Sequence, residues 1–146
     1  MKKILIMCIG NREGGDDSVG PYIADKLKDT DIEVIDCGTT PESYTSIVKK
    51  SMPDKLFIID AADMGLESGE IRIIPKEKIG VMHISTHGIP ISVIIGYLER
   101  YVKKIIFIGI QPEKMSGDIS IVVKKSGDNL VKLIVNENLQ IIKILE

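Results

Sequence analysis

The sequence predicts an α/β fold, a three-layer sandwich in which a mostly parallel, twisted sheet of about five strands carries helices on both faces. Two observations on the order of elements lead there. Apolar runs near residues 3–9, 32–36 and 55–59 alternate with helix-forming stretches, giving the order βαβαβ. The first of them, Lys3 to Ile9, is almost unbroken in apolar residues, which is the pattern of a strand buried on both faces. Size supplies the third. A chain of 146 residues, 44% apolar and 27% charged, can build the core of a single domain, residues 1–146, without metal or disulfide staples.

The first strand ends in Gly10-Asn11. Residues 11–19 are rich in glycine and aspartate and read as an irregular loop, after which Gly20-Pro21 opens a helix over Tyr22 to Leu27. A second strand, Ile32 to Asp36, leads through the turn at residues 37–42 into a helix from Ser43 to Lys50. The third strand, Lys55 to Ile59, closes on Asp60-Ala61-Ala62-Asp63. Glu70 to Ile74 reads as a further strand, entered from the short turn Leu66 to Gly69, so a hairpin-like antiparallel connection is favoured over a crossover. Residues 75–90 lack clear periodicity and hold both histidines, His83 and His87. A helix from Ile91 to Arg100, preceded by Pro90, leads into the strand Lys104 to Gly109. Ile119 to Val123 is strand-like in β-branched content, but Leu130, Val131, Ile134 and Val135 recur at helical spacing, and a C-terminal helix packed on the sheet is preferred.

Charge and composition remove several function classes. Nineteen basic residues against twenty-one acidic ones leave a net charge of −2, without the basic surface of a nucleic-acid binder. Met1-Lys2-Lys3 runs into a strand rather than a signal-peptide core, and no apolar run reaches membrane length, so a cytoplasmic protein with no membrane partner is expected. Cys8 and Cys37 form no CxxC pair and read as free thiols. Nothing requires a symmetric interface, and a monomer is expected.

In an open α/β sheet, ligands bind beyond the carboxyl ends of the strands. Three polar clusters fall at that edge: Asp16 and Asp17, Asp60 and Asp63, and the segment from His83 to His87, joined by Asp36 after the second strand. Two carboxylates and an imidazole suit a borderline metal such as nickel or zinc. The same residues also read as loop caps (Asp16, Asp17), a strand-end carboxylate on backbone amides (Asp60) and packed or surface imidazoles, since none has a spacing as specific as HExxH. His87, in Ser85-Thr86-His87-Gly88 ahead of Pro90, is preferred to His83 as a ligand. The glycines after the first strand match neither the dinucleotide nor the phosphate-loop pattern, and Asp16 and Asp17 would repel a phosphate, which disfavours a flavin or nucleotide protein. A GxSxG elbow is missing, and Cys37 has no histidine near it in sequence to activate it.

The ordered set Gly10-Asn11, Asp16-Asp17, Gly20-Pro21, Asp36 with Gly38 and Pro41-Glu42, Ile59-Asp60-Ala61, Asp63-Met64-Gly65-Leu66, Gly69-Glu70-Ile71-Arg72, Thr86-His87 and Gly109-Ile110-Gln111-Pro112 resembles the hydrogenase maturation endopeptidases. These enzymes remove a C-terminal extension from the large subunit of nickel–iron hydrogenases. The pattern looks most like the branch acting on formate-hydrogenlyase or archaeal coenzyme F420-reducing hydrogenases. The resemblance implies Asp17, Asp60 and His87 as the metal-contacting and catalytic trio, supported by Gly10, Asn11, Asp16, Asp36, Gly38 and Asp63. It implies nickel that arrives in the precursor subunit rather than a resident cofactor, with the nickel-loaded large-subunit precursor as partner. A non-catalytic metal or cofactor-assembly chaperone for that subunit would use the same ligands. Two positions depart from the family pattern: Glu13 replaces an apolar residue, and Ser18 replaces a glycine, which matters if the loop needs a positive φ there. Asn11 is expected to hold the aspartate loop through its side chain, Gln111-Pro112 to shape the crevice wall, and the Gly38 loop to offer backbone hydrogen bonds to an extended tail.

Overall fold

The computed structural model describes residues 3–80, 83–84 and 88–146. In chain order the elements are β1 (Ile4–Ile9), α1 (Val19–Leu27), β2 (Glu33–Gly38), α2 (Thr45–Ser51), β3 (Lys55–Asp63), β4 (Ile71–Ile74), α3 (Lys76–Ile79), β5 (His83–Ile84), α4 (Ile91–Leu98), β6 (Lys104–Ile110) and α5 (Ile121–Val135). Short 3-10 turns occupy Gly15–Ser18, Pro41–Tyr44 and Leu139–Ile141.

The five-stranded sheet has the order β2-β1-β3-β6-β4. Its first four strands are parallel, and β4 runs antiparallel to β6. The two residues of β5 pair antiparallel with the end of β3, placing Ala62 opposite Ile84 and Asp63 opposite His83.

The alternation of side chains along a strand divides the core in two. Leu5, Met7 and Ile9 of β1 join one apolar cluster, together with Val48 of α2, Ile79 of α3 and Ile91, Ile94, Ile95 and Leu98 of α4. Ile6 and Cys8 join the other, with Val19, Ile23 and Leu27 of α1 and Val123, Leu130 and Ile134 of α5. The helices α1, α4 and α5 each bury residues three and four apart, the stripe that an amphipathic helix lays on a sheet. The free edge of β4 is covered by the C-terminal segment: the Ile73 N–H donates to the Lys143 carbonyl at 2.9 Å, and the Leu145 N–H to the Ile73 carbonyl at 2.8 Å.

Several boundaries differ from those the sequence predicts. Residues 15–18 form a 3-10 turn, and α1 starts at Val19, three residues ahead of Tyr22, because Gly20 and Pro21 sit in its first turn, where missing backbone donors cost nothing. Asp60 lies inside β3, which continues to Asp63. The antiparallel strand β4 pairs with β6 instead of forming a hairpin with β3, whose two flanks are occupied by β1 and β6. The strand-like residues Ile121 to Val123 are the first turn of α5, opened by the Lys124 N–H bond to the Ser120 carbonyl at 2.9 Å.

Candidate active site

The site is built where β1 ends. A Cβ placed on Gly10 would lie 1.9 Å from the Asp17 carbonyl oxygen, and one on Gly20 would lie 2.1 Å from the Ile9 carbonyl oxygen. Only glycine lets the 3-10 turn and the start of α1 press this closely on the strand end. That contact puts the Asp17 carboxylate against β1, where its Oδ2 accepts the Asn11 backbone N–H at 3.0 Å. Cys8 is paired with Ile59, so Asp60 comes next along β3, beside the last residue of β1. The Asp16–Asp17 turn packs on β3 as well. Asp17 is 4% exposed and Asp60 0%, so two buried carboxylates, one on the 3-10 turn and one within β3, stand beside the end of β1.

His87, with Ser85 and Thr86, lies outside the described residues. The flanking residues are placed: β5 lies against the end of β3, and Gly88, at φ +94°, faces Glu42, whose Oε2 would be 3.6 Å from a Cβ on that glycine. Among the described residues, no three His, Cys, Asp or Glu side chains form a metal-sized group. Beside Asn11 opens a cavity of about 350 Å³ lined by Gly10, Asn11, Arg12, Asp36, Gly38, Thr39 and Tyr44.

The sequence agrees with this architecture at family level: the family model described as hydrogenase maturation protease matches residues 19–137. The chain belongs to the hydrogenase maturation proteases. The Hydrogenase 3 maturation protease of Escherichia coli K12 is 39% identical over 113 residues, covering 75% of this chain and 72% of that protein. A crystal structure of the Hydrogenase 3 maturation protease superposes with a TM-score of 0.90 at 30% identity, over 99% of this chain and 97% of that one. The nickel–iron hydrogenase maturation protease of Thermococcus kodakarensis superposes with a TM-score of 0.83 at 31% identity, over 94% and 93% of the two chains.

Not every acidic residue at this edge of the maturation protease serves the same place. Asp16, grouped with Asp17 by sequence, is turned away from it and wholly buried. Its carboxylate accepts the backbone N–H groups of Glu113 (2.7 Å), Lys114 (3.0 Å) and Ser120 (2.6 Å) and the Ser120 hydroxyl (2.9 Å). Burial acts to raise its pKa, but these donors outweigh it and hold the carboxyl below its ordinary value. Asp63 is exposed, and its Oδ1 accepts the Gly65 N–H and a Gln111 amide N–H, both at 3.1 Å. Gln111 completes that turn by accepting the N–H groups of Met64 (2.6 Å) and Leu66 (3.3 Å), a more specific role than crevice wall.

Asp36 sits at the cavity rim, paired with Arg12 at 2.6 Å, while Arg12 also makes a bidentate contact to Asp25 at 2.8 Å. Sequence alone does not single out Arg12 or Asp25, because one arginine in a polar loop has no spacing signal. The Asn11 side chain does hold the loop, accepting the Glu13 N–H at 2.9 Å. The Gly38 carbonyl accepts the Gly10 N–H at 2.8 Å and its own N–H donates to Asp36, so both of its backbone groups are engaged within the protein. Ser18 adopts φ −77°, and the positive φ of the turn falls on Gly15 instead, so the serine is accommodated without strain. Glu13 points to solvent. The Cys37 thiol is pushed up to about 12, by burial first and then by Asp36 and Asp60, and burial raises Cys8 well above its usual value. Both are therefore protonated at neutral pH and inert as nucleophiles.

Proposed function

We propose that this maturation protease is an endopeptidase that removes the C-terminal extension from the large-subunit precursor of a nickel–iron hydrogenase, recognising nickel already seated in that precursor through Asp17, Asp60 and His87. The observation that carries the reading is the pair of buried carboxylates beside the end of β1, next to an open cavity. Oxygen donors of this kind, with one imidazole, suit a borderline divalent cation. Nickel here is part of the substrate. Held by the trio, it would fix the precursor's tail across the cavity and polarise the scissile carbonyl or its attacking water. Hydrolysis adds that water across the peptide C–N bond, the acyl carbon taking the hydroxyl and the leaving nitrogen the proton. A carboxylate that ligates a metal is a poor free base, so no separate general base is assigned. The enzyme is placed in the cytoplasm, in keeping with its two free buried thiols, and a monomer is expected.

The test is mass spectrometry of nickel-loaded and nickel-free precursor after incubation with the wild-type protein and with His87→Ala. Loss of a defined C-terminal peptide from the nickel-loaded precursor alone, abolished by H87A, is the expected result. An intact mass in every wild-type reaction, with nickel loading and binding confirmed, would overturn it in favour of an assembly chaperone.

A further inference from the structure

We infer that Ile89, Val93, Tyr97 and Tyr101 form the docking surface for the folded body of the hydrogenase large-subunit precursor, outside the crevice that takes its tail. The inference rests on the function proposed above and adds where the partner sits. Val93 and Tyr97 lie one turn apart on α4, Ile89 stands two residues before that helix begins and Tyr101 three residues after it ends, so the four follow one another along α4 and its two flanks. All four are exposed, from 38% at Tyr97 to 57% at Val93, while Ile91, Ile94, Ile95 and Leu98 on the opposite side of the same helix are buried. A second apolar face on a helix that already has its core face needs another occupant.

Three further observations shape the surface. The tyrosine rings lie 5.5 Å apart, and Lys49 of α2 fixes them, with its ammonium 3.0 Å from the Tyr97 hydroxyl and 4.7 Å from the Tyr101 ring centroid. Pre-ordered tyrosines make good contact anchors because little side-chain freedom is lost on docking. Gly96 lies mid-helix on the exposed side, and a Cβ added there meets nothing within 4 Å. Glycine weakens a helix interior, and no described neighbour uses the space, which leaves it open to close approach from outside.

The choice of occupant follows from continuity with the site. Tyr44 lines the cavity and shares a 3-10 turn with Glu42, Glu42 faces Gly88, and Ile89 is the next residue. The stripe thus starts one residue past the glycine that faces the turn carrying Tyr44 of the cavity wall. A precursor whose tail lies in the cavity must rest its body nearby, and a stable protein interface takes roughly 800 Å² per partner. Exposed Ile121, by contrast, stands on α5, whose buried residues belong to the other core cluster.

The test measures the Kd for purified, nickel-loaded precursor together with KM and kcat of its processing, for wild type, Val93→Glu, Gly96→Leu and the control Ile121→Glu. Both stripe variants are expected to raise Kd and KM at least about tenfold with kcat and melting temperature retained, and the control to match wild type. Kd values within twofold of wild type for both stripe variants would overturn the inference. So would wild type that fails to bind the precursor, or a wild-type dimer dissociated by V93E with precursor affinity unchanged, which would make the stripe a contact between copies of this chain. Wild type that binds but leaves the precursor uncut would refute the peptidase reading alone, the docking surface then being judged on Kd.

Discussion

The Asp16 carboxylate accepts both the backbone N–H of Ser120 at 2.6 Å and its hydroxyl at 2.9 Å, tying the turn after β1 to the residue that heads α5. Its neighbour Asp17 faces the other way, onto the Asn11 N–H. Adjacent acids in the sequence thus do separate work: Asp16 fixes the turn, and the fixed turn presents Asp17.

Replacing Asp16 with alanine would strand three backbone donors, the part-buried ones of Glu113 and Lys114 and the buried one of Ser120. The expected cost at neutral pH is about 3 kcal/mol of folding stability. Because the folded-state pKa lies below the unfolded value near 4, the carboxylate's contribution is fully present above that pH and is lost as pH falls through the folded pKa. Urea unfolding of wild type and D16A at pH 7 and at about pH 3 should therefore show a smaller gap in acid. An equal gap at both values would show that the ionised carboxylate is not what secures the turn.

How far the sequence could lead is clear from these same residues. The strands were legible because β1, β3 and β6 are buried runs whose apolar character is set by the strand alone, and Asp60 could be placed at the sheet edge from its position after such a run. What separates Asp16 from Asp17 was not legible, since the partners of Asp16 lie about a hundred residues away and two of them offer only backbone N–H, which every residue type carries. The partner of β4 was hidden for a similar reason: local turn length favours an antiparallel neighbour but does not reveal that β6 already flanks β3.

Gly20 gives a sharper test of the packing that delivers Asp17. An alanine there would force its Cβ to 2.1 Å from the Ile9 carbonyl oxygen, a backbone atom with no rotamer to escape through. Gly20→Ala is expected to destabilise by about 3 kcal/mol and to lower processing further than the unfolded fraction accounts for, as the strand end and turn move apart. The comparison is Gly80→Ala, where the new Cβ has open space and both stability and processing should stay near wild type. Circular dichroism melts run beside the processing assay would separate the two effects, and a G20A protein as stable as wild type would refute the close-packed junction.

The thiols should be silent. With Cys37 at about 12 and Cys8 raised well above its usual value by complete burial, neither carries appreciable thiolate at pH 8. Native protein is expected to leave Ellman's reagent uncoloured over minutes and to release two equivalents after denaturation, matching the two free cysteines. Cys37→Ala should process precursor at close to the wild-type rate. Rapid labelling of the native enzyme accompanied by loss of activity would restore Cys37 as a candidate nucleophile.

Under the proposed nickel recognition, the two buried carboxylates are the residues to vary. Asp17→Asn and Asp60→Asn keep side-chain volume and remove one negative charge each, so they change ligand chemistry with little change in shape. Each is expected to lower kcat/KM on nickel-loaded precursor by at least about a hundredfold. Arg12→Ala, which breaks ion pairs to Asp25 and Asp36 whose side chains are a third to a half exposed, should cost less than about 1 kcal/mol of stability and leave kcat largely intact. Stripping nickel from the precursor should reduce wild-type processing to the level of the Asp60 variant, because both remove the same bridge between enzyme and tail. Wild type that cuts nickel-free precursor as fast as the loaded form, while D60N cuts neither, would show that Asp60 acts on the peptide directly and not through the metal.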